Sequence, residues 1–269
     1  GFVLLFSLIL FFFLLKGIEI DKISISGNDI KGFYLKLDKK LVLKVEKISL
    51  TALESNSEDM SAKQIADIAQ NIKLLLDYFE LIEVDSINFG EYSGSLKFDG
   101  EEILLDTQDI SFIAGFSVEK ELIIVQADSI LAKAYGLNVF GTMVYDLNKK
   151  NVDFGGSFVL APDITGSIAV KSDLKSAEIE LSTGVFSSIL PLKGLVVLAS
   201  DEANSWVYEK ITPKEVKVDR FWLAIRDIDN PENIKKDDIY LDFWIKDASV
   251  KFQPKLLPAS VKTLKGELK

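Results

Sequence analysis

The sequence predicts a mainly-β protein in which an N-terminal transmembrane helix leads into a long antiparallel sheet. Apolar residues recur at every second position through most of the chain, turns containing Gly, Asp, Asn or Ser separate these runs, and one segment alone shows clear helical spacing. Each alternating strand has an apolar face that needs a cover, and a single good helix is too little cover for so many strands. The sheet therefore closes on itself, packs as a two-sheet sandwich, or curls around an apolar interior that stays partly open.

The chain begins with an apolar segment. Residues 1–15 read GFVLLFSLILFFFLL, with Ser7 as their one polar side chain, and Lys16 follows. Spanning hydrocarbon takes roughly 20 residues, so we expect further residues upstream of this segment. The following KGIEIDKISISG has no small-x-small cleavage site, which favours an uncleaved anchor over a signal peptide. We therefore expect residues 1–16 to be a transmembrane anchor truncated at its start. Its apolar side chains include Phe2, Leu5, Leu8, Phe12 and Leu15.

Strands are predicted directly after the anchor. Ile18 alternates with Ile20, and Ile23 with Ile25, with a slip at Asp21-Lys22 that predicts a β-bulge. Later runs keep the period of two. Their apolar residues include Phe33, Leu35, Leu37, Leu41, Leu43, Val45, Ile82, Val84, Ile87, Phe89, Leu96, Phe98, Ile103, Leu105, Leu137, Val139, Met143, Tyr145, Val152, Phe154, Phe158, Leu160, Ile164, Ile168, Val170, Ala177, Ile179 and Leu181. Strand following strand at short, even spacing is typical of a meander.

Two segments break this period. Between Ser61 and Phe79 the apolar residues fall at steps of three and four, which predicts an amphipathic helix. Ser61 is the predicted N-cap, because serine is among the residue types preferred at that position. The polar face of this helix mixes lysines and aspartates, so it fits a cap on the open end of the sheet better than a helix on an anionic membrane. Between Val185 and Lys210, Pro191 should interrupt a second helical stretch before a short helix that carries Trp206.

Composition removes several classes of function. The chain has no His and no Cys, which excludes Ser-His or Cys-His nucleophiles, imidazole and thiolate metal ligands, and disulfides. The formal net charge of −10 has the wrong sign for nucleic acid as a partner. Motifs for phosphate cradles, dinucleotide turns and nucleophile elbows are missing as well. We expect no enzyme activity, no cofactor and no metal.

Acidic clusters admit simpler interpretations. The run Asp227-Ile228-Asp229-Asn230-Pro231-Glu232 lacks the Gly and the terminal Glu of a calcium loop and is expected to be a solvated turn. Glu83 and Asp85 fall on the polar face of a strand, so surface placement explains them without a catalytic carboxylate pair. The aromatic residues Phe154, Phe158, Trp222 and Trp244 could line a groove or fill a core, and the sequence leaves both open.

The order of the pieces resembles the AsmA-like superfamily: an anchor, then I-x-I-x-x-I-x-I strands, then a long meander without catalytic motifs. The last third is similar to the YhdP-type group of that superfamily. It reads WVYEKITPKEVKVDRFWLAIRD and then DDIYLDFWIKDASVKFQPKLLPASVKTLKGELK, in which a Trp-containing helical turn precedes strands and a Pro-Leu turn leads to a G-x-L strand. The matching residues are Trp206, Phe252, Pro254, Pro258, Leu264, Gly266 and Leu268.

The resemblance implies a curled, groove-like sheet with one or two short capping helices and no catalytic residues. It implies a single-pass protein of the inner membrane of a Gram-negative bacterium, with residues 17–269 forming a periplasmic β-groove domain that continues beyond residue 269 in a longer protein. Such a groove would carry phospholipids between the inner and outer membranes, with acyl chains on its apolar floor. The candidate lining residues are Ile82, Val84, Leu96, Phe98, Val139, Met143, Val152, Phe154, Phe158, Leu160, Ile168, Val170, Ile179 and Leu181.

A second function remains open at this stage. A periplasmic scaffold that assists outer-membrane protein assembly or envelope integrity would use the edge of the same sheet to bind a client strand. Its partners would be outer-membrane or periplasmic proteins, in place of the phospholipid acyl chains and the inner membrane. Recovery of a protein client without lipid would distinguish it from the lipid conduit.

Overall fold

The computed structural model of the chain describes residues 11–25, 28–50, 74, 76–90, 92–160, 163–194, 205–230, 233–251 and 259–268. The chain divides into two compact units, Gly1–Ile130 and Leu131–Lys269. Both consist mainly of strands, which confirms the mainly-β prediction.

The strands of the first unit lie side by side in the order in which they occur along the chain. They are β1 (Ile18–Ile25), β2 (Asn28–Leu37), β3 (Leu41–Leu50), β4 (Phe79–Phe89), β5 (Tyr92–Phe98), β6 (Glu102–Thr107), β7 (Ile110–Glu119) and β8 (Leu122–Ala132), the last of which ends just beyond the unit's boundary. Short turns join most neighbours, as the even spacing of the apolar runs predicts.

One pair departs from the predicted antiparallel order, because β3 and β4 run parallel. Parallel neighbours require a long crossover, and the connection from Leu50 to Phe79 supplies it. The predicted helix of residues 61–79 falls in this connection and lies mostly outside the described residues. Residues 74 and 76–78 are helical, whereas Phe79 already begins β4, which corrects the predicted end of the helix. Lys40 donates a hydrogen bond to the carbonyl of Leu76 at 2.6 Å and so supports the helix C-terminus.

The second unit contains the remaining strands. They are β9 (Leu137–Asp146), β10 (Asn151–Leu160), β11 (Ile164–Ser172), β12 (Ala177–Thr183), β13 (Ile211–Thr212), β14 (Glu215–Ile225), β15 (Ile239–Val250) and β16 (Ala259–Leu268). The order of neighbours is β9, β10, β11, β12, β14 and β15, and both β13 and β16 pair with β15. The predicted second helical stretch consists of a 3-10 turn at Leu190–Gly194 and a π-helical turn at Trp206–Lys210.

The sheet is unclosed. The strand order is linear in each unit, and among the described residues no ladder joins β1 to β8 or β9 to β16. This removes the closed sheet from the alternatives that periodicity left open.

A packed cluster crosses one end of the sheet of the second unit. Leu160 of β10 and Ile245 of β15 belong to the same buried cluster, together with Ile164, Phe186, Val216 and Ala248. In sheet order β10 and β15 are four strand spacings apart, about 19 Å in a flat sheet. Phe186 bridges them, because it pairs with Val216 of β14 in line with β12, and the half-buried Ile189 and Leu192 pack against the cluster.

In place of the predicted bulge, strands β1 to β4 of the first unit share an irregularity: at the same level of each strand, a step of three residues instead of two separates successive apolar residues. β1 and β2 stay in constant register from Ile18–Leu35 to Ile25–Asn28, so the expected bulge at Asp21-Lys22 is wrong. The step of three between apolar residues is instead shared by neighbouring strands. It separates Ile20 from Ile23, Ile30 from Phe33, Val45 from Ile48, and Val84 from Ile87.

This irregularity turns two consecutive residues of each strand away from the core at the same level, and all of them except Gly32 are polar. Gly32 permits it in β2 with a φ of 62°, a left-handed value that favours glycine, and β4 shifts register against β5 between Val84 and Ile87. Residues on both sides of the step, such as Val45 and Ile48, therefore pack into one core cluster with Phe98.

Candidate lipid-binding face

The predicted lining residues of the second unit share one face of its sheet, which we call the inner face. Phe154 of β10 lies opposite Met143 of β9 and Val170 of β11, and Val170 lies opposite Ile179 of β12. A parallel row continues from Ile168 to Leu181. Directly opposed side chains in a ladder project from the same side, so these rows form a continuous apolar surface.

The opposite face of the same strands is mostly polar, although it also carries Phe140 and Val144 of β9. Asp153 lies opposite Lys171, and the hydroxyls of Ser167 and Ser182 are 2.9 Å apart. This contrast follows from the two-residue period of a strand, which the sequence already showed.

Burial changes along the inner face. At one end Leu160 and Ile164 are 1% and 0% exposed, because they pack in the cluster around Phe186. Phe158 is half-buried at the margin of this cluster. Farther along the strands the inner-face residues are half-buried, and neither core cluster described above contains them. They are Val139, Met143, Val152, Phe154, Ile168, Val170, Ile179 and Leu181. The accessible part of the inner face thus lies between the packed end and Tyr145, which is buried beside the turn that joins β9 to β10.

The candidates of the first unit occupy a packed core. Ile82, Val84 and Phe98 are 8%, 4% and 1% exposed and form one cluster with Val45, against which the half-buried Leu96 packs. These side chains contact one another and leave little apolar surface for a ligand. The open stretch of the second unit is therefore the better candidate surface.

The structure also separates the four aromatic residues that the sequence left undecided. Phe154 and Phe158 lie on the inner face, whereas Trp222 and Trp244 lie on the outer face, where Trp222 opposes Glu180 and Trp244 opposes Lys217. Lys246 Nζ is 4.4 Å from the centroid of the Trp244 ring, a cation–π contact. An apolar floor therefore contains the phenylalanines and excludes the tryptophans.

The predicted anchor is described only in part. Phe2, Leu5 and Leu8 lie outside the described residues, whereas residues 11–16 are helical. Phe12 and Leu15 are 55% and 44% exposed, and Lys16 Nζ is 4.8 Å from the centroid of the Phe12 ring. Within the described ranges, the structure contains no helix of the length and apolar character that crossing a membrane requires.

The acidic residues that the sequence singled out take part in local surface interactions. Glu83 forms an ion pair with Lys44 at 2.9 Å, which lowers the pKa of Glu83 and raises the pKa of Lys44. Both line an opening of about 460 Å³ on the outer side of the irregularity in β2–β4, together with Asp85. In the other acidic run, Asp227 accepts a hydrogen bond from the backbone N–H of Asp229 at 3.1 Å, as in an Asx turn. Among the described residues no group of three or more carboxylates is placed to hold a metal ion.

Two features of this face were missed by sequence reasoning. The segment with Phe186, Ile189 and Leu192 closes one end, and it was interpreted only as a broken helix. Tyr145, identified as a strand residue but not as a site residue, is 3% exposed and its hydroxyl has no hydrogen-bond partner among the described residues. The sequence did contain a signal for Tyr145. It is the one residue with a polar group among the inward-facing positions Leu137, Val139, Met143 and Tyr145, and a buried tyrosine hydroxyl usually needs a hydrogen-bond partner.

Comparisons of the chain with protein-family models, with curated proteins and with solved structures find no significant match.

Proposed function

We propose that this chain is a lipid-carrying protein whose curled sheet offers an apolar face to phospholipid acyl chains. The observation that carries the proposal is the half-buried stretch of the inner face around Phe154, Val170 and Ile179. A continuous row of apolar side chains that remain partly exposed on one face of a sheet is typical of a binding surface.

The energetic basis is partition. Each buried CH₂ group contributes about 0.8 kcal/mol, so an acyl chain leaves a bilayer at little net cost only where most of its length is covered. The headgroup stays in water beside the unclosed sheet, which removes the cost of burying its charges. No catalytic residue is needed for this activity.

The proposed setting is the periplasm of a Gram-negative bacterium, with residues 1–16 as an anchor in the inner membrane and the groove carrying phospholipid toward or from the outer membrane. The exposed apolar side chains at residues 11–13 support a membrane contact. The periplasmic location, the inner membrane as the anchored membrane and the transport to or from the outer membrane are taken from the resemblance to the AsmA-like, YhdP-type proteins.

Site-specific photo-crosslinking in cells tests the proposal. Crosslinkers at Phe154, Ile168 or Ile179 should capture phospholipid, whereas crosslinkers at Asp153 or Lys171 should not, because the latter pair faces outward from the same two strands. Equal capture at both sets of positions would overturn the proposal.

A scaffold for outer-membrane protein assembly is the second candidate. The unclosed sheet favours it, because an unpaired strand edge can bind a client strand through backbone hydrogen bonds. In the same crosslinking experiment, this function predicts no lipid at Phe154 and protein adducts at the edge of β16 that faces away from β15. This edge pairs with no other strand among the described residues.

A further inference from the structure

A second opening in the first unit lies beside the helical residues 76–78. Leu76 and Asp77 of this helical turn, with Phe116, Val118 and Lys120 at the end of β7, line a space of about 410 Å³, which we call the β7 opening. This volume falls in the range of about 300–1,000 Å³ that is typical of small-molecule sites. None of its lining residues belongs to the lipid-lining set that the sequence predicted.

The wall of the β7 opening is apolar and accessible. Phe116 and Val118 share the phase of Ala114, which is 0% exposed, so they lie on the core side of β7. Both nevertheless remain half-buried, as does Leu76, which packs against the core cluster of the first unit. These side chains therefore present apolar surface that a ligand can contact.

Two opposite charges line the same opening without pairing. Asp77 and Lys120 are both exposed, and neither takes part in an ion pair with any group in the described part of the chain. Their charged groups are therefore more than 4.0 Å apart, with the opening beside both of them. A space next to an unpaired cation and an unpaired anion is complementary to a ligand that carries both charges.

The backbone at Lys120 is strained. Lys120 has a φ of 55° in the two-residue turn between β7 and β8, a position at which glycine, asparagine or aspartate is preferred because a Cβ at positive φ is crowded. Strained residues of this kind occur at ligand-binding sites. A binding role for the lysine side chain would explain why this residue occupies the turn.

We propose that the β7 opening binds the headgroup of a zwitterionic phospholipid that carries an amine. Lys120 pairs with the phosphate and Asp77 with the ammonium group, while the first part of the acyl chains contacts the apolar wall. An anionic lipid with the same chains offers Lys120 a phosphate but leaves Asp77 unpaired. This inference rests on the proposed function and deepens it by naming the class of lipid.

Site-specific photo-crosslinking of the purified full chain tests the inference. A photo-crosslinking amino acid replaces Val118 in one variant and Phe154, on the inner face, in another. Each is mixed in detergent micelles with equal amounts of dipalmitoyl phosphatidylethanolamine and dipalmitoyl phosphatidylglycerol, and mass spectrometry gives the ratio of the two lipids in the adducts. At Val118 the ethanolamine lipid should exceed the glycerol lipid about two- to fivefold, the range for one exposed ion pair, and this ratio should be larger than at Phe154.

Three substitutions in the Val118 crosslinking variant separate the two charges. Asp77→Asn should bring the ratio to about one, because the ammonium group loses its partner. Lys120→Asn should lower the capture of both lipids together, since both carry a phosphate, and asparagine tolerates the left-handed turn. Glu119→Gln is the control: it also removes a negative charge, but Glu119 alternates with Val118 on β7 and points to the other side, so the ratio should not change.

Each outcome has a defined meaning. Equal capture of the two lipids at Val118, a preference that survives Asp77→Asn, or a preference that Glu119→Gln also abolishes would overturn the assignment. Adducts at Phe154 with none at Val118 would overturn it and leave the lipid-carrying function standing. Adducts at neither position would overturn the proposed function and this inference with it.

Discussion

The ring of Phe158 in β10 lies directly over Gly166 in β11. The two residues oppose one another across the ladder, and a Cβ added to Gly166 would lie 2.6 Å from the Cε1 and Cζ atoms of the ring. The same Cβ would lie still closer to the backbone carbonyl oxygen of Ser182 in β12. Phe243 covers Gly266 in the same way in the β15–β16 ladder, where a Cβ would lie 2.5 Å from the ring. An aromatic ring over a cross-strand glycine replaces the packing that the glycine lacks.

This relationship predicts a strong effect of Gly166→Ala. The added methyl group must displace both the Phe158 ring, at the margin of the packed cluster, and the backbone carbonyl of Ser182, and overpacking of this kind costs about 1–3 kcal/mol. Urea unfolding should show a lower midpoint for the variant. Gly155→Ala is the matched control, because a Cβ there has no atom within 4 Å, and it should leave the midpoint unchanged or raise it slightly. Equal effects of the two changes would contradict the assigned packing.

A second prediction concerns the segment that closes the packed end of the inner face. Phe186 is 3% exposed, and its backbone exchanges hydrogen bonds with Val216 at 2.8 and 2.9 Å. Phe186→Ala should remove a side chain from the centre of the cluster and lower the free energy of unfolding by about 3–5 kcal/mol. Val185→Ala, at a 54% exposed neighbour, should have little effect. Chemical denaturation of both variants measures the difference, and a tolerated Phe186→Ala would show that this side chain does not support the packed cluster.

Acid sensitivity is the third prediction. Asp173 accepts hydrogen bonds from the backbone N–H groups of Ser176 and Lys175, and these bonds hold its pKa below the usual range. At the buried Asp238 the backbone N–H of Lys235, and then Arg226, lower the pKa in the same way. A pKa that is lower in the folded state gives a stabilisation that is complete above the unfolded-state pKa of about 3.9 and is lost as the pH falls through the folded-state pKa.

Stability should therefore fall as the pH drops below about 4 and change little between about pH 6 and 8, where histidine would titrate and this chain has none. Asp173→Asn should lower the melting temperature at pH 7, and its difference from the wild type should shrink in acid. Asp237→Asn, an exposed position beside Asp238, is the control. Thermal melts across this pH range measure the effect, and a difference that persists at pH 2 would contradict the charge-dependent origin.

The alternation of apolar residues was sufficient to predict most strands and the side from which each residue projects. It predicted the inner-face phase of Phe154, Val170 and Ile179, which the ladders confirm. It missed β7 and β8, where neighbouring positions such as Ile123 and Ile124 are both apolar and the contrast between the two faces disappears. The alternation of apolar residues could not predict that β3 and β4 pair in parallel, because side chains alternate every two residues in parallel and antiparallel strands alike.

The sequence by itself determined that this protein is a sheet with one apolar face and no imidazole or thiol chemistry, since side-chain period and residue inventory are local properties. Tertiary structure decided which part of that face is covered. Leu160 and Phe154 occupy the same strand and the same phase, yet the first is buried under Phe186 and the second remains half-buried. The difference arises because the segment with Phe186 packs against Leu160 and not against Phe154. Such contacts join residues far apart in the chain, and no local pattern encodes them.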